Sequence, residues 1–293
     1  LPSSDFTSIS LLSDLVRKLA ELLAFLHAEG IYVIDLKPQN IRVAKKDLSV
    51  FILDCDSFSF KSPLGRLFPA GFVSADYICP ETMRRKLSPS DLGEGQDRYA
   101  FAVMAFQMFN RGIHPFQGVV SDTSVDAPTN DEKAELGLYA YGSVSHSQIA
   151  AHPRSVHQCW PTSLRSLFDL AFTAEDVARP SLANWCDYFF ALAVDKKFRR
   201  CKDFPADPRH IHFSEGQCVE CYLNKLQNDR GWKPATDVPR KPVPSAPTTP
   251  SPQVLPPVAP KSDISVRYVI AFMSVLIVLV GLVYNTPNDV SPQ

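Results

Sequence analysis

The chain has 293 residues, 45% of them hydrophobic, and a net charge of −1. That length holds one large domain or two small ones with an ample core, and the charge balance supplies no field to recruit nucleic acid or anionic substrates. Seven cysteines, an odd number, suit a reducing compartment better than a disulfide scaffold. No signal peptide opens the chain, and residue 1 is Leu rather than Met, so a fragment or processed product is expected.

Ser10 or Ser13 is predicted to cap a helix that runs to about His27. Leu12, Leu15, Val16, Leu19, Leu22, Leu23 and Leu26 recur at the spacing that places them on one helical face, and Gly30 is the expected stop.

The next stretch is Tyr32-Val33-Ile34-Asp35-Leu36-Lys37-Pro38-Gln39-Asn40, answered by Val50-Phe51-Ile52-Leu53-Asp54-Cys55-Asp56. Residues 31–34 and 50–53 read as short buried strands, with 41–43 as a third and Lys45-Lys46-Asp47 as the turn. Between them lies a loop with an acid, a base and an amide at close spacing. Phosphoryl transfer needs such parts: a carboxylate to orient the hydroxyl nucleophile, a cation on the moving phosphoryl group, and Asn and Asp oxygens on the metal. The plainer reading is a surface loop whose Asp, Lys and Asn supply turn chemistry.

Asp35-Leu36 followed by Asn40, then Asp54, resembles the protein-kinase catalytic loop D-L-x-x-x-x-N followed by the D-F-G motif. Cys79-Pro80-Glu81 resembles A-P-E, Gly112 to Phe116 resembles G-x-x-P-F, and Arg179-Pro180-Ser181 resembles R-P-S. The resemblance is to the carboxyl-terminal lobe of a kinase, which implies an α+β, mainly helical fold over residues 1–198. It implies Asp35 as the catalytic carboxylate and Lys37 on the transferring phosphate. Asn40 and Asp54 are then the Mg²⁺ ligands that hold ATP. It further implies a buried Glu81–Arg179 ion pair and Asp97, opening a central apolar helix, as a brace on the loop backbone. His114 is expected to be a packed loop residue.

Two departures bear on this. Val33 and Ile34 stand where kinases usually carry His and Arg, which argues against an activation loop switched by phosphorylation. Cys55-Asp56 replaces Phe-Gly after the metal-binding Asp, where Gly normally lets the backbone flip. The extra carboxylate either adds a metal ligand or weakens nucleotide binding by repulsion. Together with Ser57-Phe58 it is similar to a group of bacterial kinase-like proteins with a D-x-D-S-F motif and a small Cys/His element after the lobe.

Residues 117–158 read as a polar insertion without a clear period, with His146, His152 and His157 facing solvent rather than a metal. The runs 164–172 and 185–194 read as closing helices. At 199–226, Cys201, His210 or His212, and Cys218-Val219-Glu220-Cys221 offer the four-ligand set of structural zinc. The kinase-like group's motif favours His210. A redox C-x-x-C lacks the strand-helix context it needs, and reduced cysteines beside surface histidines are the plainer alternative.

Residues 227–265 form a Pro-rich spacer. An uncharged run of 17 residues at 268–284, roughly 25 Å as a helix, suits a short membrane span within 266–285, with a tail at 286–293. Lys261 and Arg267 before it place the larger part in the cytoplasm, C-terminally anchored. No Gly-rich loop, strand Lys or helical Glu of a kinase's smaller lobe is visible. The expectation is a membrane-anchored Ser/Thr-type kinase lacking that lobe, using ATP, Mg²⁺ and structural Zn²⁺ to act on a protein hydroxyl, and inactive as this chain alone. The alternative is a catalytically silent, membrane-tethered scaffold, and a small-molecule acceptor also remains open.

Overall fold

Helix α1 (Ile9–Ala28) buries Leu12, Leu15, Val16, Leu19, Leu23 and Leu26, the face that the spacing predicts, with Leu22 half-buried. Its N-cap is Ser8, so neither Ser10 nor Ser13 fills that role. Ser13 already lies within the helix and donates its Oγ to Ile9 O at 2.8 Å. At the other end Gly30 adopts φ +69°, and Gly30 N and Ile31 N donate to His27 O and Leu26 O, each at 2.9 Å. This pair of reversed bonds is the glycine stop that only a residue free to enter the left-handed region adopts without strain.

The structure, a computed structural model, describes residues 8–121, 128–174 and 178–229. All of them belong to one compact unit, Leu1–Pro234. The fold is α+β. After α1 come β1 (Ile41–Val43), β2 (Val50–Ile52), β3 (Phe60–Lys61), β4 (Leu67–Phe68), α2 (Pro80–Arg85) and α3 (Glu94–Phe109). Then follow β5 (Gly118–Val120), α4 (Asn130–Glu135), β6 (Ile149–Ala151), α5 (Thr162–Thr173), α6 (Leu182–Val194), β7 (Phe198–Arg200), β8 (Ile211–Phe213) and α7 (Val219–Asp229). The strands pair in sequence order as two-stranded antiparallel sheets, β1 with β2, β3 with β4, β5 with β6 and β7 with β8.

Two expectations about strands need correction. Residues 31–34 form no strand: Tyr32 makes a single bridge to Ser59, and Ile34 turns to φ +63°. The pair β1–β2 exists, with Ile41 opposite Ile52, but it is only half-buried and Phe51 is 54% exposed. Helix α3 is the centre. Tyr99, Phe101, Val103, Phe106 and Phe109 are all buried, and Phe106 meets the rings of Tyr141, Trp160, Phe168 and Phe172 at centroid distances of 5.0 to 5.7 Å. Burying one such ring contributes about 1.5–3 kcal/mol, with about 0.5–1.5 more from each well-set aromatic pair.

Helices α5 and α6 are the predicted closing helices, and α1 packs mainly on α6 and also meets α3 and β8. Between 117 and 158 the described residues form β5, α4 and β6, and Tyr139 and Tyr141 are buried in the core. Phe213 of β8 also enters that core, 6.2 Å from Phe109 and 5.5 Å from Phe198. Among the described residues no helix is long and apolar enough to cross a membrane. The expected span at 266–285, the tail and most of the spacer lie outside the described residues.

Candidate functional site

Asp35 sits just after the bend at Ile34 and is 2% exposed. Its carboxylate is held from two sides. Lys37 Nζ donates to Oδ2 at 2.6 Å, and Ser74 N donates to Oδ1 at 2.7 Å. Asn40, at the end of a 3-10 turn begun by Pro38, donates its Nδ2 to Asp35 O at 3.0 Å and to Oδ2 at 3.4 Å. Lys37 Nζ also donates to Ser74 Oγ at 2.8 Å and lies 5.5 Å from the Phe72 ring centre. The structure therefore brings Asp35, Lys37 and Asn40 into one hydrogen-bonded knot. A carboxylate bonded to an ammonium, with a serine hydroxyl bonded to that same ammonium, can orient a hydroxyl nucleophile and steady an anionic group beside it.

The Asp54 carboxylate makes no hydrogen bond to the knot, although its neighbour Leu53 donates N–H to Asn40 O at 2.7 Å. Asp54 is exposed, in the left-handed region at φ 62°, and no hydrogen bond or ion pair holds its carboxylate among the described residues. Ser57 Oγ donates to Val33 O at 3.2 Å, which ties this turn to the segment that leads into Asp35. The Cys55 thiol is pushed up by desolvation first and then by Asp56 and Asp54, so it remains a thiol.

The start of α3 fixes the loop. Asp97, fully buried, accepts Val33 N at Oδ2 and Ile34 N at Oδ1, both at 2.7 Å, and His27 Nε2 meets Oδ2 at 2.9 Å. A β-branched residue at positive φ costs on the order of 1–3 kcal/mol, and two charge-assisted hydrogen bonds offset it. Gln96 Nε2 donates to Tyr77 O at 2.7 Å and its Oε1 accepts Cys79 N at 3.0 Å, so the same turn also holds the segment carrying Ser74. Behind it, Arg179 NH2 donates to Glu81 Oε1 at 2.7 Å with both side chains almost fully buried. His114 is buried, its Nε2 lies 2.9 Å from Asp76 O, and desolvation holds its pKa down, as befits a packed loop residue.

A second cluster lies at the end of the unit. Cys201, His210, Cys218 and Cys221 bring their ligand atoms within 4.8 Å of one another. Cys201 Sγ to Cys221 Sγ is 3.6 Å, and His210 Nδ1 lies 3.3 Å from Cys218 Sγ and 3.5 Å from Cys221 Sγ. A tetrahedron with Zn–S of about 2.3 Å and Zn–N of about 2.0 Å has edges of about 3.8 Å between sulfurs and about 3.6 Å from sulfur to nitrogen. The four atoms thus form a set that can bind a metal such as zinc. His212 is turned away, with Nδ1 2.8 Å from Phe213 O.

The protonation chemistry of the donors fits the same reading. Burial pushes the Cys201 thiol up, but the amides of Asp203 and Phe204 donate to its sulfur and the net shift is down. Cys218 is raised by desolvation, and Cys221 is pushed up to about 12 by desolvation and by its two neighbouring thiols. Three crowded sulfurs cannot all ionise unaided, and a dication removes that conflict. The N-terminus of α7, where Cys218 and Cys221 lie, adds positive potential. His146, His152 and His157 belong to no such cluster among the described residues. All three are half-buried rather than solvent-facing, and burial holds the His157 pKa down at about 4.

No protein-family model matches the chain, and no curated protein does either.

Sequence reasoning missed Ser74, Gln96 and His27. Ser74 lies 37 residues from Lys37 with no motif of its own, and His27 looks like the polar end of an amphipathic helix. A His three residues before a glycine stop was the only available signal, and it reads equally well as a residue favouring the helix C-terminus.

Proposed function

We propose that the chain is the larger lobe of a membrane-anchored protein kinase of Ser/Thr type. It would transfer a phosphoryl group from ATP to a protein hydroxyl, with the kinase-like part cytoplasmic. The observation that carries this reading is the knot of Asp35, Lys37 and Asn40, closed by Ser74 and braced by Asp97. In that assignment Asp35 orients the acceptor hydroxyl and takes up its proton. Lys37 steadies the phosphoryl oxygens, and Asn40 and Asp54 hold Mg²⁺. Mg²⁺ supplies charge neutralisation across the phosphates when bound. Asp54 is already exposed on a short turn and offers a free carboxylate, which suits a ligand awaiting its metal. The Cys/His set holds a structural zinc, and the uncharged run at 268–284 is the anchor.

A second reading, a silent membrane-tethered scaffold, draws on one observation. Both Asp35 oxygens are already engaged, by Lys37 and by Ser74 N, so a substrate hydroxyl would have to share an oxygen with one of these donors. The experiment is phosphate transfer from labelled ATP by a protein extended upstream of Leu1, beside Asp35→Ala and Asp54→Ala controls. Transfer that both substitutions abolish is the expected result. Absence of transfer, together with absence of Mg²⁺-dependent ATP binding, would overturn the kinase reading in favour of the scaffold.

A further inference from the structure

The hairpin that carries half of the Cys/His cluster concentrates positive charge. Residues 196–212 hold six Lys and Arg against two Asp, a net +4 in a chain whose total is −1. Two of those cations are neutralised locally, Lys197 by Glu215 at 3.1 Å and Arg209 by Asp207 at 2.6 Å. Lys196, Arg199, Arg200 and Lys202 are exposed and form no ion pair among the described residues. Asp203 and, just outside the span, Asp195 are the exposed carboxylates left to oppose them. The register sets Arg199 of β7 opposite His212 of β8, on the face turned away from the Phe198–Phe213 pair that packs on the core.

The tip of the same hairpin is apolar. Phe204 is 48% exposed, and Pro205 and Ala206 beside it are exposed as well. The loop that presents them is bonded along its length. Cys201 N donates to His210 O at 3.1 Å, Asp207 N donates to Phe204 O at 3.3 Å, and the Asp203 and Phe204 amides donate to the Cys201 sulfur. The Phe204 ring leans on the His210 ring, with 4.4 Å between centroids. Arg200 NH1 donates to Pro205 O at 3.0 Å, which sets a guanidinium against the apolar tip.

An apolar tip rimmed by uncompensated cations complements the boundary between acyl chains and anionic headgroups. We propose that this hairpin docks the lobe on an anionic lipid surface, with Phe204 and Pro205 in the acyl boundary and Arg199, Arg200 and Lys202 at the headgroup phosphates. Nucleic acid fits less well: no second exposed aromatic stands in the hairpin, so successive bases have nothing to stack on. The chain beyond α7 also leads to the uncharged run at 268–284, and so brings a bilayer to the same molecule. The proposal rests on the anchored part of the function proposed above, for the source of that bilayer, and not on phosphoryl transfer.

The test places the full 293-residue chain carrying Phe204→Trp in vesicles whose acyl chains are brominated to quench indole fluorescence. The lipid is phosphatidylcholine, alone or mixed about 7:3 with phosphatidylserine, and the unsubstituted chain supplies the background of its other tryptophans. The expected result is added quenching at least about threefold greater with phosphatidylserine than without, and returned to the phosphatidylcholine level by Arg199→Glu/Lys202→Glu. Both positions are exposed and unpaired, so the double variant should keep the parent's unfolding midpoint; if it does not, Arg199→Gln/Lys202→Gln takes its place under the same criterion. Quenching that is equal in the two lipids, or indifferent to the double variant, overturns the proposal. Absence of quenching overturns it too, and binding of a labelled single-stranded oligonucleotide that the double variant loses would then assign the patch to nucleic acid. An alkaline carbonate wash reads the anchor separately. A chain that washes off yet shows the phosphatidylserine-dependent quenching sinks the anchor and keeps the hairpin, and an anchored chain without quenching does the reverse.

Discussion

Arg179→Met tests whether the helical lobe depends on its buried ion pair. Arg179 and Glu81 have side chains 2% and 6% exposed and meet at 2.7 Å. The guanidinium also donates from Nε to Ala171 O at 2.9 Å and lies 5.2 Å from the Tyr99 ring centre. Methionine keeps most of the volume, yet it leaves the Glu81 carboxylate in the interior with no countercharge and Ala171 O without that donor. Breaking such a pair from one side costs about 3–5 kcal/mol, because the remaining charge stays desolvated. In a unit of this size each kcal/mol moves the midpoint by about 2–4 °C, so Tm should fall by about 6–20 °C. The assay is urea and thermal unfolding followed by the fluorescence of Trp160 and Trp185, both buried in the core. The double variant Glu81→Met/Arg179→Met removes both charges and should recover most of the loss. A single variant within about 1 kcal/mol of the parent, or a double variant no better than the single, would refute the reasoning.

Three shorter predictions follow from the geometry. His210→Ala should abolish binding of one zinc per chain, read by elemental analysis of the purified protein, whereas His212→Ala should retain it because that ring points to Phe213 O. Gly216→Ala should destabilise the unit by about 1–3 kcal/mol in the same unfolding assay, because its Cβ would come within 2.1 Å of the Cys159 carbonyl oxygen. Burial holds His157 down at about 4 from an ordinary 6.5. As pH falls through 6.5 the unfolded chain takes up a proton that the folded one refuses, so stability drops toward pH 4 and then levels. The loss is at most about 3 kcal/mol, reduced where solvent screens the ring. His157→Leu should remove that part of the slope in unfolding curves at pH 7.5 and 4.5.

The parts that were legible in the sequence are those with short periods or short spacings. The leucine face of α1, its Gly30 stop, the two closing helices and the C-x-x-C of the Cys/His set all lie within a few residues of their own signal. Asp35, Lys37 and Asn40 also meet because only a tight loop separates them. The failures are longer in range. Residues 31–34 look like a strand by composition, but the hydrogen bonds that the Val33 and Ile34 amides donate to Asp97 override their β preference and hold a left-handed bend at Ile34. Tyr139 and Tyr141 make a core segment out of a stretch whose local pattern is polar, because their partners lie on α3 and α5. Ser8 rather than Ser10 caps α1, a shift of the size that helix ends routinely show. The choice between His210 and His212 could not come from strand alternation, because His210 ends a 3-10 turn just before β8 while His212 lies within the strand.

The packing of α1 against α6 and β8 bears on how the chain is made. A ribosome completes α1 about 150 residues before it starts the last turns of α6. At about 5–20 residues per second, the leucine face waits roughly 8–30 s for its cover. Phe213 arrives later still, on the segment that also carries the Cys/His cluster. Helix α1 is therefore shielded from water mainly by elements made much later in the chain.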